Sequence, residues 1–181
     1  RPPRSTLFPY TTLFRSTTTF ENGKQLDDVA KQFELIQKHA TDPKTGLLYH
    51  AWDESKLMAW ANKDSGKSPN FWSRSIGWYA MALVDALDYF PKNHPKRKVL
   101  IGYLNSLAVA LDKAKDEKYG LWYQVTDQGN REGNYLESSG SSMFIYALAK
   151  GVNKGYLPAK YKVIANNSFN SLCRIINSIV S

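Results

Sequence analysis

Cysteine is nearly absent: Cys173 stands alone in 181 residues, so no disulfide can close within the chain. No run of eighteen apolar residues occurs, which excludes a membrane-spanning helix from this sequence. There is no glycine-rich phosphate loop, no G-x-S-x-G elbow and no zinc-ligand spacing, so nucleotide, serine-hydrolase and zinc chemistry have no motif to rest on. Proline and glycine are sparse and charged residues make up 22%, a composition of folded rather than disordered chains. Charge of one sign is in excess, at +8, but the lysines are scattered and three arginines fall in the first sixteen residues. A nucleic-acid partner is therefore not expected.

Residues 1–16, RPPRSTLFPYTTLFRS, carry no acid, no starting methionine, and neither helical nor strand periodicity. They lack the basic-then-apolar profile of a signal peptide. Thr6–Ser16 resembles the in-frame translation of a common sequencing-library adapter, so residues 1–16 are expected to lie outside the domain and 17–181 to carry it.

What is abundant is aromatic: five Trp and eleven Tyr, with Phe, reach 13%. Such rings serve a core or stack on sugar faces equally well. Their arrangement is more telling, because the chain repeats itself. Asp42 to Asp53 (DPKTGLLYHAWD) matches Asp116 to Asp127 (DEKYGLWYQVTD) at an offset of 74, and Trp72–Leu83 aligns with Glu137–Leu148 at an offset of 65. The first copy thus has nine more residues between its loop and its helix.

Around these loops the pattern is helical. Leu26, Val29, Ala30, Phe33 and Ile36 give Lys24–Ala40 one apolar stripe, ended at Asp42-Pro43. Ser73–Tyr89, capped by Ser73 or Asn70, holds seven consecutive apolar residues from Trp78 to Val84 and reads as a helix packed on most sides. Lys96–Lys115 and Ala159–Ile179 are amphipathic, and Met143–Ala149 is a second apolar run. Alternating apolar and amphipathic helices predict an all-α fold of two layers, closed into an (α/α) barrel or open as a stack.

Trp72, Arg74 and Trp78 are the first candidates for binding. Arg74 and Trp78 are four apart on one helix, and Trp72 precedes it beside the unsatisfied N–H groups of the first turn. A guanidinium next to a helix N-terminus suits a carboxylate, and two indoles suit a sugar face. Core tryptophans with a structural ion pair fit the same spacing. His50 is a lone histidine, of a kind usually structural and satisfied by a backbone carbonyl, but it lies in the first loop where the second copy has Gln124, an asymmetry that suggests a specialised site. Asp53 recurs as Asp127 and reads as a loop residue; Glu54 faces Gln128 and is a weaker polar candidate. Glu137 to Ser142, ESSGSS, reads as capping and close helix packing.

These segments together, GLLYHAWDESK, FWSRSIGWYAMALVDALDYFP and NYLESSGSSMFIYALAKGVNKGYL, resemble glycoside hydrolase families 105 and 88, with unsaturated rhamnogalacturonyl hydrolases the nearer likeness. The resemblance implies an incomplete (α/α)6 barrel of helical hairpins and a hydrolase that hydrates the C4=C5 bond of a terminal unsaturated uronic acid. The implied partner is an unsaturated uronic-acid oligosaccharide, without metal or organic cofactor. By matching position, Trp72, Arg74 and Trp78 are substrate-binding and His50 assists catalysis. The family's catalytic aspartate falls upstream of anything matched here, so the chain is expected to be an inactive part of a longer enzyme. A non-catalytic helical-repeat module that binds glycan or protein is the other reading. An incomplete ring would also leave the face of Met143–Ala149 exposed and prone to aggregate.

Overall fold

The computed structural model describes residues 15–180; residues 1–14, most of the adapter-like stretch, lie outside the described residues. Five long helices follow one another: α1 (Leu26–Ala40), α2 (Ser73–Ala86), α3 (Arg97–Ala114), α4 (Ser138–Asn153) and α5 (Lys160–Val180). A further helical segment covers 15–20, held by buried Thr17, whose Oγ1 accepts from the Gln25 N–H at 2.9 Å. The expected helices are all present, each within three residues of the bounds read from sequence.

The layers are as the alternation predicts. Helices α2 and α4 lie side by side, α3 packs on α2, α5 packs on α4, and α1 packs on α3. Leu83, Leu87, Leu100, Leu104, Leu111, Trp122 and Phe144 are almost wholly withdrawn from water between the layers. Each contributes on the order of 1.5–3 kcal/mol by that burial. Trp122 satisfies its buried Nε1–H on the Leu111 carbonyl at 2.8 Å and meets the Phe144 ring edge-on at 5.1 Å.

Both repeat loops fold alike. The Gly46 N–H donates to the Asp42 carbonyl at 2.9 Å and the Gly120 N–H to the Asp116 carbonyl at 2.8 Å. Gly46 (φ 76°) and Gly120 (φ 65°) occupy the left-handed region, where a side chain would be strained. In each loop the opening aspartate takes N–H groups of the turn: Thr45 for Asp42, Lys118 and Tyr119 for Asp116.

Two expectations are corrected. Neither Ser73 nor Asn70 caps α2: its N-cap is Trp72 in extended conformation with no side-chain cap, and the buried Ser73 hydroxyl has no partner. The Ser73 N–H goes instead to the Gln124 carbonyl of the second loop at 2.9 Å, because the two repeats pair edge to edge at this point. The apolar runs are also less uniformly packed than their composition suggests. Within Met143–Ala149, Phe144, Ile145, Ala147 and Leu148 are buried and only Tyr146 is exposed, so that run does not form an open apolar patch. On α2, Arg74 and Trp78 are exposed and Met81 and Asp85 half-buried, one stripe at helical spacing that faces away from the outer layer.

Candidate sugar-acid site

The N-terminal ends of α2 and α4 are tied together by extended segments. The second loop runs between residues 71–73 and 135–137, with the Thr126 N–H on the Phe71 carbonyl (2.9 Å), the Gln124 N–H on the Tyr135 carbonyl (2.8 Å) and the Glu137 N–H on the Trp122 carbonyl (2.8 Å). The first loop leads to the same place: its Ala51 pairs with Ser68, and His50 Nδ1 lies 3.1 Å from the Asn70 carbonyl. A carbonyl only accepts, so Nδ1 is the donor, and in the neutral ring Nε2 is the nitrogen that keeps its lone pair. The partner of His50 is thus supplied by the lead-in to α2.

Trp72 sits between His50 and Arg74. The imidazole meets the indole edge-on at 6.4 Å and 86°, and the Arg74 guanidinium lies 4.9 Å from the indole centroid. The Trp72 Nε1–H is buried and has no hydrogen-bond partner, an uncommon and costly condition. Trp78 follows one turn after Arg74 on the exposed stripe, with 36% of its surface in water. Trp72, Arg74 and Trp78, expected as one binding group, therefore lie at one end and along one face of α2, and His50 is beside them.

The matching position in α4 behaves differently. Glu137, the counterpart of Trp72, is the N-cap, and its carboxylate accepts from the Ser139 N–H at 3.3 Å and from the Gly140 N–H. Ser139 Oγ adds a third hydrogen bond at 2.6 Å. The segment Glu137–Ser142, expected to cap and pack, does cap the helix, and Glu137 is the residue that does so. Its place opposite Trp72 in the repeat was the available signal.

Of the acids on the first loop, Asp53 is engaged. Asp53 Oδ1 accepts from the Ser55 N–H (3.1 Å) and hydroxyl (2.7 Å), and Oδ2 from the Met58 N–H (3.0 Å). The Met58 and Ser55 hydrogen bonds hold its carboxyl below the usual range, so Asp53 is an ionised loop brace at neutral pH, as its recurrence at Asp127 suggests. Glu54 is exposed on the same loop.

Lower on the same face a charged cluster joins the two inner helices. Asp85 Oδ1 accepts from Lys150 Nζ at 2.6 Å and from the Tyr146 hydroxyl at 2.7 Å, and Asp88 accepts from Lys150 at 2.8 Å and from the Tyr156 hydroxyl at 3.0 Å. Among the described residues no group of three or more His, Cys, Asp or Glu could hold a metal, and no helix is long and apolar enough to cross a membrane. Two clefts, of about 500 and 370 Å³, lie among the loops, and neither is lined by Arg74 or Trp78.

Known proteins resemble this chain in sequence and in fold. The family model for Glycosyl Hydrolase Family 88 matches residues 8–178. Protein Atu3128 of Agrobacterium fabrum is 40% identical over 132 residues, 73% of this chain and 55% of that protein. The unsaturated rhamnogalacturonyl hydrolase YesR of Bacillus subtilis is 32% identical over 149 residues, 82% of this chain and 39% of that protein. A solved glycoside hydrolase from family 105 of C. acetobutylicum superposes with a TM-score of 0.88 at 48% identity, over 90% of this chain and 45% of its own. The chain spans about half the length of such relatives. Its helices are accordingly hairpins of an incomplete (α/α)6 barrel, and the second of the two architectures left open by the repeat, the open stack, is set aside. The chain belongs to glycosyl hydrolase family 88.

Proposed function

We propose that this chain forms the acid-gripping wall of a hydrolase that acts on oligosaccharides ending in an unsaturated uronic acid. The observation that carries this reading is internal to the repeat. At the start of α4 the Glu137 carboxylate fills the space in front of the Ser139 and Gly140 N–H groups. The equivalent N–H groups of α2 belong to Arg74 and Ser75, which have no acceptor within the helix. There the repeat replaces the carboxylate with Trp72 and adds a guanidinium. A carboxylate brought by the ligand would take the position that Glu137 fills in the other copy, with the helix dipole and Arg74 both favouring it. The indole surface of Trp78, 36% exposed beside Arg74, and the exposed part of Trp72 suit the apolar face of a sugar ring.

In the reaction, a proton adds to C4 of the unsaturated ring and water adds its oxygen to C5. The hemiketal at C5 then opens, the glycosidic bond breaks, and the rhamnose-linked remainder leaves with a hydroxyl. His50 Nε2, free to accept a hydrogen bond, assists by orienting the water or a ring hydroxyl. The C4 proton donor is an aspartic acid that this chain does not carry. Asp53, taken up by its loop, and Glu137, taken up by its helix, are not that donor.

Calorimetric titration with a lyase-generated unsaturated disaccharide tests the site. Arg74→Ala is expected to weaken binding by roughly 10–100-fold, the value of charged hydrogen bonds worth about 1.5–3 kcal/mol. Arg74→Lys should fall between, keeping the charge but losing the planar fork. A neutral disaccharide should bind weakly to all three proteins. Unchanged affinity in Arg74→Ala would remove the carboxylate reading. The chain alone should leave the absorbance of the unsaturated sugar unchanged; its steady loss would show that the proton donor is present after all.

A further inference from the structure

The nine additional residues of the first repeat build a feature that the second copy lacks. They fall within 54–71, and the loop they form is braced throughout. Asp53 holds the turn at Ser55–Met58, Lys63 Nζ donates to the Lys56 and Met58 carbonyls at 3.0 and 3.2 Å, and Trp52 pairs with Lys67. A loop fixed this firmly nonetheless leaves Trp60 39% exposed. Trp60 lines the pocket of about 370 Å³ together with Tyr49, Asn62, Ser65, Lys67 and Ser68. This volume is in the range of small-ligand sites.

The polar groups of the pocket are unevenly spent. Asn62 Oδ1 accepts three hydrogen bonds, from the Asp64 N–H (2.9 Å), the Ser65 N–H (2.8 Å) and the Ser65 hydroxyl (3.1 Å). That fixes the amide with its Nδ2 hydrogens away from those bonds. Ser65 Oγ and Ser68 Oγ accept from the Lys67 and Ala51 N–H groups at 3.3 and 3.2 Å. Lys67 Nζ spends one donor on the Thr41 carbonyl at 2.9 Å and lies 5.1 Å from the centre of the Tyr49 ring. The side-chain oxygens of Asn62, Ser65 and Ser68 all take part in hydrogen bonds within the protein, and the Ser65 hydroxyl is spent on Asn62, so what remains for a ligand is the Asn62 Nδ2 and Lys67 Nζ hydrogens beside an exposed indole. Such a set selects a flat-faced molecule rich in oxygen acceptors.

We propose that this pocket is a second saccharide site, which takes a uronate unit of an acidic oligosaccharide with its ring on Trp60 and its carboxylate or hydroxyl oxygens on Lys67 and Asn62. None of His50, Trp72, Arg74 and Trp78 lines this pocket, so the inference does not depend on what Arg74 binds.

The test is calorimetric titration of the chain with trigalacturonate, in an Arg74→Ala background that removes the other acid site. Binding is expected to persist there. Adding Trp60→Ala or Lys67→Met should weaken it by about tenfold or more, with the Trp60→Ala protein keeping its helical circular dichroism because that side chain stands outside the core. Two results would overturn the proposal: no binding in the Arg74→Ala protein, or an unchanged affinity when Trp60 is removed. Failure of the Arg74 reading would look different, since wild type and Arg74→Ala would then bind alike.

Discussion

Gly77→Val should lower stability by about 3 kcal/mol or more, whereas Gly102→Ala should raise it by up to about 1 kcal/mol. Both glycines are helical, so propensity alone would favour both changes. The difference lies in what a side chain would meet. A Cβ on Gly77 would stand 2.7 Å from Met143 Sδ and 2.8 Å from Met143 Cβ, with α4 directly against the glycine. The Sδ could swing away, but Cβ is fixed to the α4 backbone, so the two inner helices must separate. The contact is reciprocal, since a Cβ on Gly140 would stand 2.7 Å from Ser73 Oγ. Separation also breaks the pairing of Ser73 with Gln124 that sets the start of α2, and with it the relation of Arg74 to Trp72 and His50. At Gly102, exposed on α3, nothing lies within 4 Å, and alanine only removes backbone freedom from the unfolded chain. Urea midpoints for the two variants decide the matter. A neutral Gly77→Val would mean that α2 and α4 are not in close contact.

The repeat made the layer order legible because it is written twice, with Asp42 and Asp116, Gly46 and Gly120 in the same roles. Helix limits followed from proline and amphipathic spacing. The outward face of α2 was not legible in the run from Trp78 to Val84. An inner helix is covered on several sides, and apolar content does not tell a side chain facing another helix from one facing the open interior. Arg74 and Trp78 mark the open stripe only once Ile76, Tyr79 and Leu83 are seen to be buried. The cap at Glu137 was obscured for a different reason. Glutamate is not among the residues most favoured at that position, and its fit depends on an extended lead-in held by the Glu137 N–H on the Trp122 carbonyl. His50 was found through its mismatch with Gln124, but its hydrogen bond to the Asn70 carbonyl, twenty residues on, has no sequence signature.

Lys150→Met should cost about 2–3 kcal/mol near neutral pH, and the loss should depend on pH. In the repeat alignment Lys150 is the counterpart of Asp85, so the two inner helices place opposite charges at one position and pair them across the seam. The side chains of Lys150, Asp85 and Asp88 are only 20%, 17% and 25% exposed. Methionine keeps the length but leaves two carboxylates facing each other with the Tyr146 and Tyr156 hydroxyls and the half-exposed Lys154 ammonium, 3.6 Å from Asp88. Stranding a buried charge costs about 3–5 kcal/mol, and partial exposure reduces it here. Burial would raise the Asp88 carboxyl, but hydrogen bonds from Lys150 and Tyr156 and the lysine charges outweigh this and hold it below its usual range. Burial would likewise depress the Lys150 ammonium, and its bonds to Asp85, Asp88 and Tyr146 raise it well above the ordinary lysine value instead. A lowered carboxyl stabilises fully above the unfolded aspartate value of about 3.9 and loses that contribution as pH falls through the folded value. A raised ammonium stabilises fully below the unfolded lysine value of about 10.4 and loses it as pH rises further. The difference in urea midpoint between wild type and Lys150→Met should thus be flat between about pH 4 and 10 and shrink on either side. Lys154→Met, at a half-exposed position, should change stability by less than about 1 kcal/mol at any pH. If the Lys150→Met deficit were the same at pH 7 as at a pH well below the carboxylate range, the lysine would be acting through its methylene packing, and the charge pairing between the inner helices would have no part in holding them together.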